Sequence, residues 1–207
     1  MALICKFTES MGKVIPYQNR RFKPLDFVRV DEKSTPTGQM NLFESTGPEE
    51  TTLLPIFDNS FDLALKLDLK DDPGAERFYL RAIEKNENTA HSYCNLGVLA
   101  AHKENMVEAV DYFTKALAED PRHVETHFNL ANVYFAVGNH HLAVFHYRLV
   151  NRIAPDFADG YFNLGLTLLE IEDLKSAQEV FTQYQLLSPE AKSDQVNTIL
   201  KSLASLV

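Results

Sequence analysis

Among the seven histidines of the chain lie the residues whose spacing comes nearest to chemistry. His123 and His127 stand four apart, about one helical turn, and His140, His141 and His146 form a second group. Imidazoles in such pairs suit zinc, but a zinc site wants three or four ligands. Neither group has a carboxylate or a cysteine in the spacing that would complete it. The two cysteines, Cys5 and Cys94, lack CxxC or CxxC…HxxxH spacing and are too few for a disulfide framework, which points to a reducing, cytoplasmic setting. No GxSxG, HExxH or phosphate-cradling glycine loop is present. The expectation is a chain with no catalytic residue, no metal and no cofactor.

With chemistry set aside, charge narrows the partners. Residues 1–30 carry six basic residues against two acidic ones, and the whole chain has a net charge of −9, so the remaining residues carry about −13. An acidic body repels phosphate backbones, which argues against nucleic acid as the main ligand. No apolar run approaches the roughly 18 residues of a membrane span, and Met1 to Lys13 has only a short apolar patch with no basic residue before it. A protein or peptide partner remains.

The elements that would position such a partner show themselves as a repeat of 34 residues, marked by Pro121, Pro155 and Pro189. Before each proline the same types recur in phase: Tyr93, Leu96, Gly97, Ala109, Phe113 and Ala116; then His127, Leu130, Ala131, Ala143, Tyr147 and Val150; then Tyr161, Leu164, Gly165, Ala177, Phe181 and Tyr184. The first three of each set fall on one helical stripe, and small residues where two helices cross let them approach closely. Lys103-Glu104-Asn105, Gly138-Asn139 and Glu172-Asp173 supply turns between the helices of each pair. His127 therefore occupies an aromatic packing position.

This pattern resembles the tetratricopeptide repeat, or TPR. The resemblance implies an all-α solenoid of about four helix pairs, with residues 54–189 divided as 54–89, 90–123, 124–157 and 158–189. The first unit departs from the pattern: it is one residue short between Leu63 and Ala75, and Glu87 stands where proline is expected. Residues 190–207, with Val196, Ile199, Leu200, Leu203 and Val207 at helical spacing, read as a capping helix. Residues 1–53 lack periodic apolar faces and read as an extended or partly disordered tail, with residues 22–30 alternating like one strand.

In that family a concave groove is lined by the first helix of each pair, helix A, which implies a peptide-binding set of Asn95, Val98, Phe128, Asn129, Asn132, Phe135, Phe162, Asn163, Leu166 and Leu169. Asn95, Asn129 and Asn163 repeat at the 34-residue period, similar to the asparagine ladder of the O-GlcNAc transferases, although nothing of their catalytic domain is present. A primary amide donates to a peptide carbonyl and accepts from its N–H, so such a row suits an extended backbone. Phe128, Phe135, Phe162, Leu166 and Leu169 are expected to form a contiguous exposed apolar patch. The basic positions of a chaperone-type carboxylate clamp hold Cys94, Asp159 and Asn163, and Val98 stands at its first asparagine position; only Asn129 fits. In the tail, Gln39, Leu42 and Phe43 resemble the bacterial sliding-clamp-binding pentapeptide. The leading expectation is a scaffold or adaptor for an extended peptide; the alternative is a structural or self-associating module whose groove holds residues 1–53 or another copy of the chain.

Overall fold

A computed structural model describes residues 59–188 and 193–205, and these contain nine α-helices and no strand. They run α1 (Ser60–Asp68), α2 (Ala75–Glu84), α3 (Thr89–His102), α4 (Met106–Glu119), α5 (Val124–Ala136), α6 (His140–Ile153), α7 (Ala158–Glu170), α8 (Leu174–Leu187) and α9 (Ser193–Ala204). Each odd-numbered helix from α1 to α7 packs on its successor as a pair, and each pair packs on the next, with α9 closing the stack against α8. The strand-like stretch 22–30, the Gln39–Phe43 motif, Pro189 and Val207 lie outside the described residues.

The turn inside each pair has one construction. Glu104, Gly138 and Glu172 take left-handed backbone angles at φ 59°, 79° and 60° and end the first helix. The next residue, Asn105, Asn139 or Asp173, caps the second helix by accepting from the amides of Glu108, Leu142 and Ser176 at 3.4, 3.4 and 3.2 Å. In the first unit Asp71 takes the left-handed angle, four residues before Ala75, whereas Glu104 lies five before Ala109. The missing residue is thus lost after the turn, and α2 starts from Gly74 without a side-chain cap. Glu87, in the proline position, has its own work. Its carboxylate accepts from the Ser60 amide at 2.6 Å and ties the end of the first pair to the start of α1.

The seams between paired helices are closed by the small residues. Ala109, Ala131, Ala143 and Ala177 are fully buried, as are Phe113, Tyr147 and Phe181 opposite them. Gly97 lies under the Phe113 ring and Gly165 under the Phe181 ring. Val196, Ile199 and Leu203 of α9 join the same core as α7 and α8, so the cap covers the last apolar face. No helix among the described residues is long and apolar enough to cross a membrane.

Candidate functional site

The A helices α3, α5 and α7 carry the expected groove residues, and the structure divides them. Phe128 and Phe162 do not form an exposed patch. Phe128 packs on Tyr147 of its own pair and on Phe157, at ring-centroid distances of 5.7 and 5.1 Å. Phe162 packs on Phe181 and Tyr184, at 6.0 and 5.2 Å, and is 2% exposed. Leu166 and Leu169 are likewise buried in the core. The physical reason is that α7 is gripped by α8 of its own pair and by α6 of the preceding one. A helix with neighbours on two sides buries a wider arc than one stripe. Of the apolar groove set, Val98 and Phe135 remain half-buried, Phe135 edge-on against His140 at 5.2 Å.

The asparagine row also turns inward in part. Asn129 is buried, and its amide nitrogen donates to Cys94 Sγ at 3.8 Å in the preceding repeat. Asn163 is fully buried and donates to Asn132 Oδ1 at 3.1 Å, again one repeat back, and the Tyr147 hydroxyl donates to the same oxygen. Two of the three rungs thus brace neighbouring repeats. Asn95 differs: it is half-buried, and its Nδ2 is buried without a hydrogen-bond partner. Burial pushes the Cys94 thiol up to about 12, against weaker help from Thr126 and Asn129, so it stays protonated and is no nucleophile.

Four of the histidines meet in two pairs, with His123 and His127 buried and His91 and His146 half-buried. His127 Nε2 lies 3.1 Å from the Pro121 carbonyl, which can only accept, so this nitrogen carries the proton in the neutral ring. His127 Nδ1 is then an acceptor, and His146 Nδ1, 3.0 Å away, donates to it. The His146 ring also stacks on Tyr134 at 5.6 Å. His123 caps α5: its Nδ1 accepts from the Thr126 amide at 3.3 Å, leaving a buried Nε2 with no partner. The His91 ring meets His123 edge to face at 4.4 Å. Burial holds all four below the ordinary imidazole range, His146 down to about 4 with the like charge of His127 adding to the effect. His141 is exposed, whereas His140 is half-buried with an unpartnered buried Nδ1. Among the described residues no three His, Cys, Asp or Glu side chains come together as a metal site.

Sequence reasoning missed the His127–His146 pair because the two are 19 residues apart. The signal lay one repeat earlier, where Tyr93 and Tyr112 occupy the same two positions and meet at 6.4 Å.

Comparison with known proteins agrees with this geometry. A family model described as Tetratricopeptide repeat matches residues 90–123 and 158–190, and a second model of the same description matches residues 112–145. The human General transcription factor 3C polypeptide 3 is 24% identical over 144 residues, covering 65% of this chain. That match spans 15% of the human protein's length. Among solved structures, MamA residues 41 to end from Desulfovibrio magneticus RS-1 aligns with a TM-score of 0.59 and 21% identity over 70% of this chain and 88% of that one. The first TPR of Spaghetti (RPAP3) bound to the HSP90 peptide SRMEEVD aligns with a TM-score of 0.51 and 19% identity over 56% of this chain and 94% of that one. The Sgt2 TPR domain from Aspergillus fumigatus has the same TM-score at 23% identity, over 56% of this chain and 78% of that one. At these identities the likeness is one of fold.

Proposed function

We propose that the chain, whose residues 90–145 and 158–190 match tetratricopeptide-repeat models, is a non-catalytic scaffold or adaptor holding an extended peptide along the concave face of α3, α5 and α7. The observation that carries this reading is the unpartnered amide nitrogen of Asn95 on a row whose other rungs are already braced. A buried donor without a partner costs about 1–3 kcal/mol, which a peptide carbonyl would recover once the half-buried Asn95 side chain turns outward to meet it. Val98, Asn132 and Phe135 extend the contact surface, while Phe128, Asn129, Phe162, Asn163, Leu166 and Leu169 form the rigid wall behind it. Glu125, Asp159 and Glu170 favour a neutral or mildly basic peptide over an acidic C-terminus such as SRMEEVD. Neither nucleic acid nor a membrane surface suits the acidic body. A cytoplasmic setting fits the buried free thiol of Cys94.

One observation favours a second reading: the basic residues 1–30 complement an acidic body. In that reading residues 1–53, or a second copy, occupy the groove.

Selection of random dodecapeptides by phage display against the full chain tests both. Peptides that bind at least about tenfold more weakly to Asn95→Ala/Phe135→Ala, a change of about 1.4 kcal/mol, support the groove. Equal binding to both forms rejects it. Displacement of those peptides by a synthetic peptide of residues 20–32 favours the second reading.

A further inference from the structure

On the outer surface, α6 departs from the other second helices of the pairs. His141, Phe145, Arg148 and Arg152 follow one another at steps of four, three and four residues, so they share one stripe, and all four are exposed. Phe145 is 56% exposed, and Leu142 beside it 40%. One repeat away in either direction, Asp111 and Glu179 stand in place of Phe145, and Thr114 and Thr182 in place of Arg148. Ala118 and Leu186 stand in place of Arg152.

Repeat three has therefore exchanged a carboxylate for an aromatic ring and added two guanidinium groups. The helix contains no acidic residue, whereas α4 holds Glu108, Asp111 and Glu119. Among the described residues neither Arg148 nor Arg152 forms an ion pair. The Phe145 ring stands edge-on to His146 at 5.2 Å and 83°. His146 in turn is fixed by Tyr134 and His127. Single exposed apolar side chains such as Val107 and Leu186 are ordinary on a surface. An exposed aromatic, a leucine and two unpaired arginines on one stripe in an acidic protein form the combination that recurs at contact centres.

We propose that the outer face of α6 is a second docking surface, separate from the concave groove, for an acidic segment of a partner protein with an apolar residue to one side of its carboxylates. The apolar side chain packs on Phe145 and Leu142, and the carboxylates meet Arg148 and Arg152 one helical turn apart. Guanidinium groups take carboxylates in a two-point fork, which gives this pairing direction as well as charge. A second copy of the chain is the poorer occupant, because two bodies of net charge −9 repel each other.

The test uses the full chain and random dodecapeptides displayed on phage. The comparison is Phe145→Asp/Arg148→Thr, which installs the residues that repeat two carries at these positions and leaves the core untouched; equal circular dichroism melts establish its fold. Wild type is expected to enrich acidic peptides containing an apolar residue. Those peptides should bind the double variant at least about tenfold more weakly, bind Asn95→Ala/Phe135→Ala unchanged, and weaken as salt rises about tenfold from a low starting concentration. Enrichment without acidic residues, equal affinity for the double variant, or loss on the groove variant instead overturns the proposal. So does a light-scattering mass of a dimer that the double variant returns to a monomer, since the face would then belong to a second copy.

Discussion

A Cβ placed on Gly165 would lie 2.7 Å from Cζ of Phe181, inside the distance that side-chain carbons keep from one another. Phe181 is fully buried and touches Phe162, so the ring has nowhere to retreat without disturbing a second aromatic. Gly97 stands in the same relation to Phe113, at 2.6 Å from Cε1. Gly165→Ala should therefore destabilise the fold by about 1–3 kcal/mol, and Gly165→Leu by more, because added methylenes force a packed seam apart. Chemical denaturation followed by circular dichroism measures this directly. An unchanged midpoint for Gly165→Leu would mean that the repeat phase is wrong.

The left-handed turn position offers the opposite change. Gly138 occupies it at φ 79°, while Glu104 and Glu172 are held there at φ 59° and 60° with a Cβ that resists the conformation. That resistance costs roughly 1–2 kcal/mol, against about 0.5–1 kcal/mol of extra chain entropy that glycine loses on folding. Glu104→Gly and Glu172→Gly should each raise the unfolding free energy by about 0.5 kcal/mol. Glu172→Ala keeps the Cβ and should shift it by less than about 0.5 kcal/mol. A fall in stability on either glycine substitution would show that the turns are not strained as their angles imply.

Phe162 belongs to the fold before it belongs to any surface. Its ring is 2% exposed between Phe181 and Tyr184, so truncation leaves a cavity at the junction of α7 and α8. Phe162→Ala should cost about 3–5 kcal/mol, whereas Phe135→Ala, half-buried at the end of α5, should cost clearly less. Urea midpoints of the two variants make the comparison. Equal losses would place Phe135 in the core as well.

These contrasts mark where the sequence was legible. The 34-residue period reports contacts that recur identically in every unit, so Leu96, Leu130 and Leu164, all nearly fully buried, and the alanines across the seam could be read in advance. The groove could not, because its exposure depends on where along each A helix the flanking elements reach. Phe128 and Phe135 share α5 and residue type, yet Phe128 packs on Tyr147 and Phe157 while Phe135, on the last turn, stays half-buried. The amides of Asn129 and Asn163 were recognisable as a row, but their bonds to Cys94 and Asn132 run between repeats and depend on the stacking distance. The His127–His146 pair is another such contact, made between the two helices of one pair by residues that no short-range spacing connects.

That histidine pair makes stability depend on pH in a direction that follows from its tautomers. His127 Nδ1 accepts from His146 Nδ1–H only while the His127 ring is neutral, and burial depresses the proton affinity of each, His146 to about 4. His91 and His123 are lowered for the same reason, although Asp120 and Glu125 pull both back in part. The unfolded chain binds protons at an ordinary imidazole pKa near 6.5, while the folded chain resists them until lower pH. Unfolding therefore takes up protons, so the stability contributed by neutral rings is present above about pH 6.5 and is lost as pH falls toward the depressed folded values. Between about pH 7 and about pH 5 most carboxylates remain ionised, which leaves histidine as the dominant titrating type. Urea midpoints should decline across that window. In His127→Tyr/His146→Tyr, which copies the Tyr93–Tyr112 pair of repeat two, the decline should be shallower. If the variant and the wild type lose stability in parallel, the two rings are not held neutral by the fold.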